Sequence, residues 1–206
     1  AASTAVHPEV VKEMLPYFDV QYGNPSSIHQ FGRKAKNAVQ KARKQVAALI
    51  GAEPDEITFT SGATESNNTI FLGCSKFQGN EFGLNHIITS SIEHDAVLEP
   101  VRGFEKNGVQ VTYLPVDEYG LVNPDDITKS INEKTTIVSI MFANNEVGTI
   151  QPIKEISKIC NKYQIPLHTD AVQAVGKIPI NVKELGVDAL SISSHKINGP
   201  KGVGAL

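Results

Sequence analysis

Several things are missing from these 206 residues, and each absence removes a class of explanation. No apolar run approaches the roughly 20 residues that cross a bilayer as a helix, so no membrane span is expected. The opening AASTAVHPEV has neither a basic stretch nor an apolar one, which argues against a secretory signal. Charge is nearly balanced, with 19 Lys and Arg against 22 Asp and Glu and a net of −3, so nothing marks a nucleic-acid footprint or a charged membrane surface. There are only two cysteines, Cys74 and Cys160, and they form no CxxC. Two small packed thiols suit a reducing, cytoplasmic setting. The six histidines show neither HxxxH nor HExxH, so no metal is expected. Neither GxGxxG nor a Walker A loop is present, which weakens a dinucleotide or P-loop reading.

What remains is an ordinary globular balance, 40% hydrophobic and 20% charged, in a length that suits one large α/β domain or two small ones. NPSSIHQFGRKAKNAVQKARKQVAALIGA reads as a long helix. Asn24, Pro25, Ser26 and Ser27 offer turn and cap chemistry, Gly51 offers a stop, and the polar face is rich in Lys and Arg. After it, short apolar runs at 56–60, 85–91, 109–116, 135–143, 165–171 and 188–193 alternate with helical patterns. That alternation predicts βαβ crossovers, a mostly parallel sheet and a three-layer α/β/α architecture. The runs 135–143 and 188–193 are apolar at nearly every position, as in strands covered on both faces.

In an open parallel sheet, ligands sit outside the carboxyl ends of the strands. The residues that follow each run are therefore the candidate site. They are Ser61-Gly62-Ala63-Thr64, Glu93-His94, Asn144-Asn145-Glu146, Asp170 with Gln173, and Ser193-Ser194-His195-Lys196. SGAT at a helix start suits an anion such as phosphate, although an ordinary N-cap would look the same. Asp170 suits a carboxylate that pairs with a buried cation, the pyridinium nitrogen of pyridoxal 5'-phosphate (PLP) being one, or else a structural hydrogen bond. His94 could stack on a ring or move a proton, or be a satisfied structural histidine. Lys196 follows an apolar strand, and a partly desolvated lysine is an amine nucleophile with a lowered pKa. Gly199 and Gly202 would turn the chain behind it. Together these groups describe a PLP site, with a dinucleotide-binding domain as the competitor.

GNPSSIHQFG, FTSGATESNN, IEHDAV, ANNEVGTIQPI, HTDAVQAVGK and SSHKINGPKGVGAL closely resemble, in order and at family spacing, the motifs of cysteine desulfurases of the NifS/IscS type. The resemblance implies a PLP-dependent transferase of fold type I, within the class V aminotransferase-like group. It implies that Lys196 binds the cofactor covalently and moves the substrate α-proton, and that Asp170 partners the ring nitrogen. His94 would stack over the ring and move protons, Gln173 would donate to the ring hydroxyl, and Asn145 would lie beside cofactor and substrate. Ala63, Thr64, Ser193 and His195 would hold the phosphate. The implied reaction converts L-cysteine to L-alanine, passing sulfur as an enzyme persulfide towards iron–sulfur cluster assembly or tRNA thiolation through a scaffold or acceptor protein. The family also implies a homodimer.

Family members are about twice this length. The resemblance therefore implies an N-terminal segment at 1–25 and a PLP-binding large domain at 26–206, incomplete at both ends and without the small C-terminal domain. The loop cysteine that accepts sulfur is not matched by Cys74 or Cys160, so the stretch alone is expected to lack desulfurase activity. The alternatives are another fold type I PLP enzyme, either an aminotransferase or a lyase, and a non-catalytic scaffold.

Overall fold

The computed structural model describes residues 3–82 and 85–206; Ala1 and Ala2 of the 1–25 segment lie outside them. Among the described residues, seven strands form one sheet: β1 (Phe59–Thr60), β2 (His86–Ser90), β3 (Gln110–Leu114), β4 (Thr135–Ser139), β5 (Leu167–Asp170), β6 (Ala189–Ser193) and β7 (Gly204–Ala205). Their order across the sheet is β1-β7-β6-β5-β4-β2-β3. The pairs from β3 through to β6 are parallel, whereas β7 runs antiparallel to both β6 and β1. The helices are α1 (Pro8–Met14), α2 (Pro16–Asp19), α3 (Gln30–Ile50), α4 (Ala63–Phe82), α5 (Asp95–Lys106), α6 (Pro124–Ser130), α7 (Ile153–Tyr163) and α8 (Val182–Leu185).

Side chains alternate across a strand, and the cores follow that period. Ile87 and Ile137 pack with Phe71 of α4 and with Val97 and Val101 of α5. Their neighbours Ile88 and Val138 pack with Ala47 and Ile50 of α3, Ile127 of α6, and Ile153 and Ile156 of α7. The sheet thus has an apolar layer of helices on each face, as the near-continuous apolar strands predict. Each such buried side chain contributes about 1.5–3 kcal/mol of transfer free energy.

Polar groups buried inside the sheet are satisfied across strands. Ser139 Oγ lies 2.8 Å from His168 Nδ1, and Ser191 Oγ lies 3.0 Å from His168 Nε2, so one imidazole joins β4, β5 and β6. Burial pushes the His168 pKa down to about 3, because the interior disfavours its charged form.

Two sequence expectations need correction. The long helix starts at Gln30, not near Asn24; Asn24 to Ser27 form a turn in which Asn24 Oδ1 accepts from Ser26 N, and His29 Nδ1 caps the helix by accepting from Gly32 N. The run at 56–60 is a strand only over its last two residues, because Pro54–Glu56 makes a tight 3-10 turn first. The chain after Gly202 enters the sheet as β7 between β1 and β6, and Thr58 and Leu206 exchange both backbone hydrogen bonds. The edge strands are β1 and β3.

Gly204 makes that insertion possible. A Cβ at this position would lie 2.6 Å from Gly62 Cα and 2.7 Å from Ile192 O, both backbone atoms. Gly204→Ala is expected to lower stability by about 1–3 kcal/mol through overpacking and to displace the Gly62 turn. Urea unfolding measures it, and a midpoint matching the parent would refute the close approach.

Candidate active site

β1 runs parallel to β6, since β7 reverses between them. The carboxyl ends of β1, β2, β4, β5 and β6 therefore open on one edge. At that edge lies a cavity of about 360 Å³, within the usual size of small-molecule pockets. Its lining includes every residue to which the resemblance assigns a role, Ala63, Thr64, His94, Asn145, Asp170, Gln173, Ser193, His195 and Lys196, whereas Glu93, Asn144, Glu146 and Ser194, also at strand ends, are not among the lining residues.

The floor is Asp170, at the last position of β5 and buried. Its Oδ2 accepts from Asn67 Nδ2 at 2.8 Å, and its Oδ1 accepts from Val172 N at 3.1 Å. Burial raises its pKa; these two hydrogen bonds and the nearby His94 and Lys196 pull it back down. Surface ion pairs join Glu99 to Arg102, Asp126 to Lys129 and Glu53 to Lys183. A buried carboxylate of this kind favours a cation in the cavity.

Lys196 sits in the 3-10 turn Ser194–Lys196 that follows β6, half-buried. Burial is the main cause lowering its pKa; the charge of Lys177 adds to this and Asp170 opposes it. Both push the amine towards its uncharged, nucleophilic form at lower pH than an ordinary lysine. The turn is held from outside by the N-terminal segment. Thr4 N and Thr4 Oγ1 both donate to His195 O, Asn198 N donates to Thr4 Oγ1, and His7 N donates to Asn198 O. Ser3 Oγ lies 2.9 Å from His195 Nδ1 and lines the cavity itself. Behind the lysine, Gly202 has φ +79, a left-handed conformation that suits glycine.

His94 caps α5 by accepting the Ala96 N–H on Nδ1 at 3.0 Å. In the neutral ring this puts the proton on Nε2. Gln173 Oε1 accepts from Lys177 Nζ at 2.6 Å. α4 begins at Ala63, and Ala63, Thr64 and Glu65 of its first turn line the cavity together with Ser193 and His195. A helix start with hydroxyl and imidazole partners suits phosphate. The donor set thus fits PLP: an anion cradle, a buried carboxylate and an amine in one cavity.

Asn67, Ser3 and Met141 were not singled out from the sequence, and Glu93 was named only as a strand-end residue without a role. Asn67 is fully buried and orients Asp170. Its position one helical turn after Ala63 is the signal that could have found it, since that turn faces the strand ends. Ser3 reaches the cavity only because its segment pairs with a loop more than 190 residues away.

The family model of the class-V aminotransferases matches residues 1–206. The chain is 56% identical to a cysteine desulfurase IscS of Dictyoglomus turgidum, over all of this chain and 52% of that protein. It spans about half the length of the curated relatives it matches. A solved NifS-like protein superposes with a TM-score of 0.95 at 45% identity, covering 99% of this chain and 56% of the other. A structure described as SspA in complex with cysteine does so at 0.96 and 42% identity, covering 99% and 58%.

Proposed function

Because the chain belongs to the class-V aminotransferase family, we propose that it is the PLP-binding part of a cysteine desulfurase, with residues 26–206 as the large domain. The observation that carries this reading is the meeting of Asp170, Lys196 and the start of α4 in one cavity.

In this reading each residue has a task the geometry supports. Asp170, oriented by Asn67 and the Val172 N–H, pairs with the ring nitrogen. Ala63 and Thr64 at the helix start, with Ser193 and His195, hold the phosphate. Gln173 addresses the ring hydroxyl, His94 covers the ring, and Asn145 lies beside cofactor and substrate. When bound, PLP supplies an electron sink for the negative charge left at the substrate α-carbon. The Lys196 amine, its pKa lowered by burial and by Lys177, takes and returns the proton at that carbon. Cysteine, the molecule named with SspA, is the proposed substrate, and sulfur would leave to a thiol and then to an acceptor or iron–sulfur scaffold protein. Cys160 does not suit that thiol, since burial pushes its pKa up to about 12, and burial also raises that of the half-buried Cys74. A homodimer and a cytoplasmic setting belong to the same proposal. Among the described residues no helix is long and apolar enough to cross a membrane.

Titration with PLP should give a saturable visible absorption band, and L-cysteine should then perturb that band. Failure to saturate would sink the cofactor site. Conversion of the bound cofactor to pyridoxamine 5'-phosphate as the main product would favour transamination over desulfuration.

A further inference from the structure

Two buried side-chain oxygens have no hydrogen-bond partner among the described residues, Asn67 Oδ1 and Glu93 Oε2. Both belong to neighbours of Asp170. Asn67 donates to it, and Glu93 feels its charge. Glu93 lies in the turn after β2, just before His94, and is only 5% exposed. Its Oε1 accepts from Ser90 Oγ at 2.7 Å and from Met141 N at 2.8 Å, tying the end of β2 to the chain leaving β4. The next amide, Phe142 N, donates to the backbone oxygen of Asp170. Glu93 and Asp170 therefore hold two successive amides of one short piece of chain, and Met141 lines the cavity.

We propose that Glu93 is a positioning residue that stays a neutral carboxylic acid in the folded chain, bracing the strand ends beneath the cavity and leaving Asp170 as the buried negative charge. Its value to a bound cofactor rests on the function proposed above; its protonation does not. Two like charges so placed cannot both ionise cheaply, and the charge settles where compensation is greater. Asp170 has the Asn67 amide, the Val172 N–H, and the nearby His94 and Lys196. Glu93 has the Ser90 hydroxyl and the Met141 N–H, both uncharged, and Asp170 acts against it. Burial and that like charge raise its pKa from 4.5 to about 8. The groups around the pair are thus His94 on the same turn, Lys196 after β6, Asn67 from α4, and the β4 main chain. A second full charge beside Asp170 would be the costly state, and the neutral acid avoids it while keeping both accepted hydrogen bonds.

The sign follows from linkage. A raised carboxyl pKa means that the folded chain binds more protons than the unfolded one. The contribution of Glu93 is therefore full below about 4.5 and is lost as pH rises to about 8. Glu93→Gln mimics the neutral acid and has no such loss. The folding constant of the cofactor-free variant relative to the parent should rise about tenfold per pH unit between roughly pH 5 and 7. A ratio that does not change with pH overturns the proposal. A second measurement needs no variant to fold: in the parent chain with 13C-labelled glutamate, one buried carboxyl should titrate near 8, and if all titrate near the ordinary glutamate value the proposal fails. With PLP added, Glu93→Gln should hold the cofactor within about twofold of the parent, and Glu93→Leu, which accepts no hydrogen bond, about tenfold more weakly or worse. Leucine matching glutamine would remove the positioning role. If the parent takes up no PLP at all, the function proposed above fails, and the cofactor-free pH series still decides the state of Glu93.

Discussion

Lys196→Ala should abolish covalent capture of PLP while leaving the chain folded. Treating the parent with PLP and then borohydride should fix one cofactor on the peptide that carries Lys196, in preference to the surface lysines. The preference follows from its environment, since burial and Lys177 both lower its pKa. The variant should show no saturable fixation at any peptide. Folding should survive, because Lys196 belongs to neither apolar core and its turn is held by main-chain bonds from Ser194 N to Val203 O and from Gly199 N to Ser194 O. Truncating a half-buried side chain outside a core costs about 1 kcal/mol or less. Peptide mapping reads the result, and fixation that persists at another residue would move the nucleophile away from Lys196.

The largest stability effect should come from His168. Its folded pKa is about 3 against an ordinary 6.5, so the folded chain binds fewer protons than the unfolded one in that window. The stability it contributes is complete above about 6.5 and is lost as pH falls towards 3, by about 1.4 kcal/mol per unit. His168→Gln removes this dependence. The stability gap between parent and variant in urea should shrink by about 3 kcal/mol between pH 6.5 and roughly pH 4. A gap that stays constant would mean that the imidazole is not held neutral. Glu93 acts with the opposite sign from about 4.5 upward, so the parent should show a plateau between about 4.5 and 6.5 where the two slopes oppose.

The sheet was legible because its strands are buried on both faces, which prints as short apolar runs between helical patterns. The edge that carries the cavity was legible for a related reason: parallel strands put their carboxyl ends together, so His94, Asn145, Asp170 and Lys196 could be gathered without knowing any distance. Features that depend on distant pairing were not legible. Glu93 reads only as one more polar residue at a strand end until Met141 N, 48 positions later, closes on it. His29 takes the capping role that Asn24 and Ser26 advertise, because those residues satisfy each other in a turn. Two-residue strands such as β1 and β7 carry too little pattern to announce a partner, and the antiparallel place of β7 follows from the glycines at 62 and 204 that let two backbones meet.

That place has a consequence for how the chain is made. Phe59 pairs with Ala205 and Thr60 with Gly204, and among the described residues β1 has no other strand beside it. While the ribosome is still synthesising the middle of the molecule, β2 to β6 can assemble with the helices between them, but β1 has nothing to join. The Gly62 turn and the start of α4 therefore reach their final setting only after residues 204 and 205 have emerged. The α4 end of the cavity should be the last part of this sheet to form, and a chain stalled before Gly204 should lack the settled start of α4, with the Asn67 amide that orients Asp170.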